Sequence, residues 1–258
     1  MNSHRIIATL LGAIVLASCE KNAVQVLPGV ELPGARVKFF HFGVSAPGVN
    51  FYANETKMTA IVSGTGTESS TGVAYGAAGA GGAYTAIAPG QYTLTGRIAA
   101  AGADKNLPIA TVAATIEDGK FYSFYMSGIY NTTLKTVDAF VVEDPVAPPS
   151  DYAVAYVRFV NAISNATNPL TLYVKNTTGD TATVTVATAV AYKGASAFTT
   201  IPAGVFNLFA RYPDSTANKV TRNGVTFLGG RVYTVGARGN ITVTSGTTAP
   251  AFDNTANR

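Results

Sequence analysis

The sequence predicts an all-β protein made of two tandem antiparallel β-sandwiches, and three observations carry that prediction. Short runs rich in Val, Ile, Thr, Tyr and Phe recur along the chain, turns containing Gly and Pro separate them, and no window shows a helical period. The second half then repeats the landmarks of the first in the same order. The repeat length of about 110 to 120 residues is that of a whole domain and far exceeds a solenoid unit.

The first strand is read from Ala35, where apolar Val37 and Phe39 alternate with charged Arg36 and Lys38, the period of a strand with one face in a core and one in water. Val49 to Ala53, Tyr84 to Ala88, Gln91 to Ile98, Ile109 to Ile116, Phe121 to Met126 and Leu134 to Val142 follow as further strands. Pro89-Gly90 and Glu117-Asp118-Gly119 supply turns between them. In the second half, Ala155-Tyr156-Val157-Arg158-Phe159-Val160-Asn161 matches the run from Ala35 to His41, and Leu172-Tyr173 matches Phe51-Tyr52. Val190-Ala191-Tyr192 matches Val73-Ala74-Tyr75, and Ile201 to Leu208 with Arg211 matches Ile87 to Leu94 with Arg97. Gly230-Arg231-Val232-Tyr233 matches Gly119-Lys120-Phe121-Tyr122.

These landmarks divide the chain into a first sandwich, 35–144, and a second, 152–245. Residues 145–151, with Pro145, Pro148 and Pro149, form a linker whose prolines favour an extended spacer. Alternation stops after Ser245, so 246–258 reads as a fraying tail. Two domains in series from one anchor would place the Ala155 domain furthest from it, as the part that meets a partner. The spacing Asp118 to Tyr122 has the form of the tyrosine corner of immunoglobulin-like sandwiches, which makes the predicted fold immunoglobulin-like.

The N-terminus gives an address. Arg5 precedes an apolar run from Ile6 to Leu16, of signal-peptide length and too short to span a bilayer stably. Leu16-Ala17-Ser18-Cys19 resembles the bacterial lipobox, so residues 1–18 read as a cleaved signal and Cys19 as the acylated residue. Several acyl chains on one residue anchor stably, because each buried methylene contributes about 0.8 kcal/mol and one chain alone is marginal. Residues 19–34, with Pro28 and Pro33, read as a tether, and Glu20 directly after the anchor favours the outer membrane or cell surface over inner-membrane retention.

Ala-Arg-Val-Lys-Phe-Phe-His-Phe from Ala35, Asn50-Phe51-Tyr52, Ile87 to Leu94 and Asp118 to Tyr122 together resemble the DUF4397 family of secreted bacterial domains, in two tandem copies. The resemblance implies a β-sandwich, a lipoprotein of the Bacteroidetes type and a cell-surface location, with no established activity. Phe40, Phe42 and Gly43 depart from the family's opening pattern, and the second copy carries Asn161 in place of His41.

Composition narrows the function classes. With 258 residues at 47% hydrophobic the chain can bury two cores, and Cys19 as the only cysteine excludes an internal disulfide. The lysines and arginines are scattered and the net charge is +4, which argues against nucleic acid or a polybasic membrane patch as partner. With the signal removed, His41 is the only histidine, too few for a zinc site of the usual type, and it reads as a structural residue. Glu117-Asp118 heads a turn, and Phe227-Leu228 stands in its place in the second copy; Asp138 reads as the solvent face of a strand. Gly76 to Gly82 lacks the Lys and Ser/Thr of a phosphate loop and reads as a mobile loop. Tyr75, Tyr192, Tyr122 and Tyr233 fit core packing better than a sugar-stacking platform. Asp180-Thr181-Ala182 and Asp214-Ser215-Thr216 resemble periplasmic O-glycosylation acceptors, giving Thr181 and Ser215 as modification candidates. The expected protein is a lipid-anchored, non-catalytic structural, adhesive or ligand-presenting module without cofactor or metal, its partners the membrane through Cys19 and a surface glycan or protein ligand. A glycan-binding accessory lipoprotein of an outer-membrane uptake system is the alternative, and a hydrolase the third reading.

Overall fold

The computed structural model describes residues 34–60, 70–179 and 182–257. Cys19, the signal and the tether lie outside the described residues, as does Thr181. Among the described residues, sixteen strands build four sheets of four strands each. In sandwich 1, β1 (Ala35–Val44), β4 (Thr85–Ile87), β7 (Phe121–Asn131) and β8 (Thr136–Glu143) form a sheet of order β4-β1-β7-β8. Its partner sheet holds β2 (Val49–Ala53), β3 (Thr56–Lys57), β5 (Gly90–Ile98) and β6 (Pro108–Ile116) in the order β3-β2-β5-β6.

Sandwich 2 repeats this plan. Strands β9 (Val154–Asn161), β12 (Thr199–Pro202), β15 (Val232–Arg238) and β16 (Ala251–Ala256) are ordered β12-β9-β15-β16. Opposite them, β10 (Leu170–Asn176), β11 (Thr183–Val190), β13 (Gly204–Arg211) and β14 (Val220–Phe227) are ordered β11-β10-β13-β14. Pairing is antiparallel except that β1 runs parallel to β7, and β9 to β15, at the same place in each copy.

The side-chain period of two explains the core. Val37 and Phe39 on β1, with Phe124 on β7, point into sandwich 1 against Phe51 and Leu94, with the Phe39 and Phe51 rings stacked at 5.2 Å. Val157, Phe159 and Val235 do the same in sandwich 2 against Leu172 and Leu208. The intervening residues of β1 are also buried: Lys38 is 1% exposed, Phe40 3% and Phe42 1%. Strands β1 and β9 are therefore covered on both faces, and the expected water-facing side of β1 lies against the other sandwich.

The copies agree down to single bonds. The Tyr122 hydroxyl accepts the Glu117 backbone N–H at 3.1 Å, and the Tyr233 hydroxyl accepts that of Leu228 at 3.1 Å, so both tyrosine corners form. This register sets Glu117-Asp118 against Leu228-Gly229, one residue along from the match read in the sequence. Arg97 lies over the Tyr52 ring at 4.5 Å and Arg211 over the Tyr173 ring at 5.1 Å, one cation–π pair built twice from matched landmarks.

Two sequence expectations change. Residues 246–258 are not a frayed tail, because β16 completes a sheet along β15 and the Asn257 N–H donates to Val232 O at 2.7 Å. A strand of mixed Ala, Asp, Asn and Thr without alternation gave no apolar period to read. Nor do the prolines of 145–151 hold two sandwiches apart in series. Residues from Pro33 onward fall into one compact unit, and Asp144, at the head of the linker, is 1% exposed and bonded to Arg158 of sandwich 2. The chain enters at Gly34 beside Asp118 and Gly119, the end of sandwich 1 at which β8 also finishes.

Candidate functional site at the junction of the sandwiches

The two inward-facing sheets meet in a reciprocal pattern of contacts. At one end, Lys38 Nζ donates to Ala256 O at 2.7 Å and to Asn257 Oδ1 at 3.2 Å. Arg158, its match in the second copy, donates to Glu143 O at 2.9 Å and to Asp144 Oδ1. Strand register makes Glu143 and Asp144 the counterparts of Ala256 and Asn257. Ser123 Oγ donates to Asp144 Oδ2 at 2.6 Å, and in the same place Asn257 Nδ2 donates to Thr234 Oγ1 at 2.7 Å. Even the rings above the cations correspond: Lys38 lies over Tyr84 at 4.2 Å and Arg158 over Phe198 at 5.2 Å. A contact made from copy 1 to copy 2 is answered by its counterpart from copy 2 to copy 1, the hallmark of an isologous interface, here inside one chain.

Electrostatics follow from burial. The Asp144 carboxylate receives Arg158, Ser123 and the Tyr84 hydroxyl, the last at 2.6 Å, so this buried charge is paired and hydrogen-bonded. Burial lowers the Lys38 pKa to about 8, opposed by the nearby Asp144 charge and reinforced by Arg158. Burial, then the Asp144 carboxylate, raises the Tyr84 pKa well above its usual value.

Beyond the charges lies an aromatic layer of Phe40, Phe42, Tyr125 and Phe140 from sandwich 1 against Val160 and Ala162 from sandwich 2. Phe40 stacks on Tyr125 at 4.7 Å and Tyr125 on Phe140 at 5.0 Å. At the far end, Tyr75 of sandwich 1 lies under the Arg238 guanidinium of sandwich 2 at 4.8 Å. Its match Tyr192 reaches back to Ser127 at 2.8 Å and donates to Asp138 at 3.0 Å. Asp138 is exposed, as the sequence predicts, and its carboxylate also takes Tyr192 and Lys193 of the other sandwich.

The reciprocity breaks at one place. Copy 1 carries the turn Gly79–Gly82, with Ala80 at φ 50 and Gly81 at φ 64, and β16 presents Asp253 where β8 presents Phe140. A cleft of about 480 Å³ opens there, lined in part by Phe40, Phe42, Gly76, Gly82, Asp253 and Asn254. Asp253, facing the cleft, is held by Arg238, whereas Asn254 shares the core-facing side of β16 with Phe252. The segment 76–82, expected to be a mobile loop, is bound into the junction: Gly76 N–H donates to His41 O at 2.8 Å, and Gly76 leaves room for the Arg238 guanidinium, which a Cβ would approach to 2.8 Å.

The other residues singled out in the sequence sit apart from this site. His41 is fully buried and its Nε2 lies 2.9 Å from Pro47 O; a carbonyl only accepts, so Nε2 carries the proton. Burial lowers its pKa to about 4, the backbone bond to Pro47 opposing. In the second copy, Asn161 donates to Val190 O at 3.0 Å. Tyr122 and Tyr233 are in the cores, so the four tyrosines do not form an exposed row. Ser215 is half-buried in a turn, its Oγ accepting the Ala217 N–H at 3.2 Å. Among the described residues no group of three or more His, Cys, Asp or Glu is placed to hold a metal. Lys38, Arg158, Asp144 and Asn257 escaped the sequence reading, although cations at matched places in both repeats were a visible signal.

The fold and junction define an all-β, two-sandwich body with internal two-fold character. The model of a domain of unknown function, DUF4397, matches residues 35–168, half of the chain, and the chain belongs to that family. Among curated proteins nothing matches. The chain is similar at 12% identity and TM-score 0.25 to the Bacillus anthracis TIE protein, covering 79% of this chain and only 33% of that one. It is similar at 10% identity and TM-score 0.25 to a candidate cell adhesion protein from Bacteroides fragilis, over 85% of this chain and 97% of that one.

Arg158→Ala strands the Asp144 carboxylate in the junction and should destabilise the protein by about 3 to 5 kcal/mol, the scale for removing one partner of a buried ion pair. Arg158→Lys combined with Asp144→Asn copies the opposite half of the network and should recover most of that loss in urea unfolding. His41 is held neutral, with a folded pKa of about 4 against 6.5 unfolded, so the unfolded chain binds the extra proton and stability is lost as pH falls through that window. His41→Asn should remove a loss of up to about 3 kcal/mol from the acid limb of a urea-midpoint-versus-pH series.

Proposed function

We propose that the protein is a lipid-anchored, non-catalytic display module, held at the outer membrane or cell surface through Cys19, whose two sandwiches act as one head. The observation that carries this reading is the burial of Lys38, Asp144 and Arg158 in the junction. These buried charges serve to fix one sandwich to the other. The strand directions leave the loops 45–48, 99–107 and 132–135 of sandwich 1 at the end opposite Gly34. The counterpart loops of sandwich 2 are 162–169, 212–219 and 239–250. Exposed Leu134 and Ile129, and the shallow depression lined by Pro47, Ala101, Asp104 and Tyr130, belong to this loop end. Loops at the end of a rigid sandwich are the usual place for a partner contact.

A second reading, a glycan-binding accessory lipoprotein of an outer-membrane uptake system, is favoured by the cleft beside Asp253. Its volume is that of a small-molecule site, and Asp253 on its wall suits a sugar hydroxyl.

Cys19→Ser should abolish acyl labelling in cells and leave the protein uncleaved or soluble; unchanged labelling removes the anchor. Whole-cell attachment to a panel of host-matrix proteins and glycans then separates the readings. Replacing 99–107 and 212–219 with short Gly/Ser turns should abolish attachment under the display reading, whereas Asp253→Ala should abolish it under the glycan reading.

A further inference from the structure

We infer that the inner faces of the two sandwiches are a matched unlike pair, so that each sandwich recognises the opposite one, from its own chain or from a second copy, and rejects its own kind. The reciprocal contacts described above would suit a like-with-like dimer equally well; side-chain size and charge decide against it.

Size acts first. Copy 1 presents Phe40, Phe42, Tyr125 and Phe140, and at the matched positions copy 2 presents Val160, Ala162, Gly236 and Asp253. The Phe42 ring fills the space over Gly236, where even an added Cβ would stand 3.0 Å from Phe42 Cε2. In a pair of two first sandwiches Tyr125 would take the place of Gly236 and meet the Phe42 ring of the partner, once on each side of the two-fold. Overpacking of a few methylenes already costs about 1 to 3 kcal/mol, and a whole ring set against a ring exceeds that insertion. In a pair of two second sandwiches Ala162 would face Gly236, leaving ring-sized voids whose lining loses its packing partners.

Charge acts on the second pair alone. Two first sandwiches would set Lys38 against Asp144, which is satisfied. Two second sandwiches would set Arg158 against Asn257, burying two guanidinium groups with no carboxylate between them. Only the unlike pair fills the aromatic layer and neutralises Arg158. All of these contacts lie outside the linker, so they form identically within one chain or between two, and exchange alters only the path of residues 145–153.

The test uses the whole folded protein with a protease site in place of Ala147 to Ser150, cut after folding. Two cut preparations, one tagged on sandwich 1, are mixed, unfolded in urea and refolded together, and the tagged piece is recovered. It should bring down sandwich 2 from both preparations in one-to-one complexes seen by native mass spectrometry. Recovery of untagged sandwich 1 with the tag, or of the tagged piece alone, overturns the inference. A second measurement stays within the uncut chain: Gly236→Val should lower the urea midpoint and Phe42→Ala should restore it in the double variant. Strictly additive losses would show that the two positions do not face each other as a lock and would equally overturn it.

Discussion

The structure depends on one buried ion pair, Arg158 on Asp144, and on the fact that its two members come from different sandwiches. Neither charge reaches water, so each requires the other, and leaving either alone would strand a charge in a medium that solvates it poorly. The carboxylate also orders Ser123 and Tyr84, and the guanidinium bonds Thr234, so a single contact fixes the ends of β7, β8, β9 and β15. Lys38 with Ala256 and Asn257 is the same device in weaker form, an amine on a carbonyl and a neutral amide. Between these two polar locks the aromatic layer supplies the apolar burial that a charge network lacks.

Duplication explains why the locks come in a reciprocal pair. Two copies of one sandwich placed face to face make every contact twice, and the present sequence has let the two instances diverge: Lys38 against Arg158, Asn257 against Asp144, Tyr84 against Phe198. The outer sheets have kept their cation–π pairs of Arg97 with Tyr52 and Arg211 with Tyr173.

The strands and turns were legible because their signals are local. Alternation marked β1, Pro89-Gly90 and Asp118-Gly119 marked turns, and the spacing from Asp118 to Tyr122 marked a tyrosine corner, which the structure closes from the preceding Glu117 and again from Leu228 in the second copy. Lys38 was misread because alternation of charge with Phe also describes a strand covered on both faces, where the second cover is supplied by residues more than two hundred positions away. β16 was lost for a related reason, since Asp253 and Thr255 line a cleft and a junction instead of a core, leaving no apolar period. Gly76 to Gly82 was taken for slack, yet its small residues allow the backbone to approach Arg238 and the facing strand. In each case the missing information was what lies opposite, which a tandem repeat conceals by suggesting two self-sufficient units.

Calorimetric unfolding of the body from Gly34 onward tests most directly whether the junction makes the two sandwiches one structure. A shared buried interface predicts a single transition whose calorimetric and van't Hoff enthalpies agree, replaced by two transitions in Arg158→Ala. Two separate transitions in the unaltered protein, unmoved by loss of Arg158, would contradict the account.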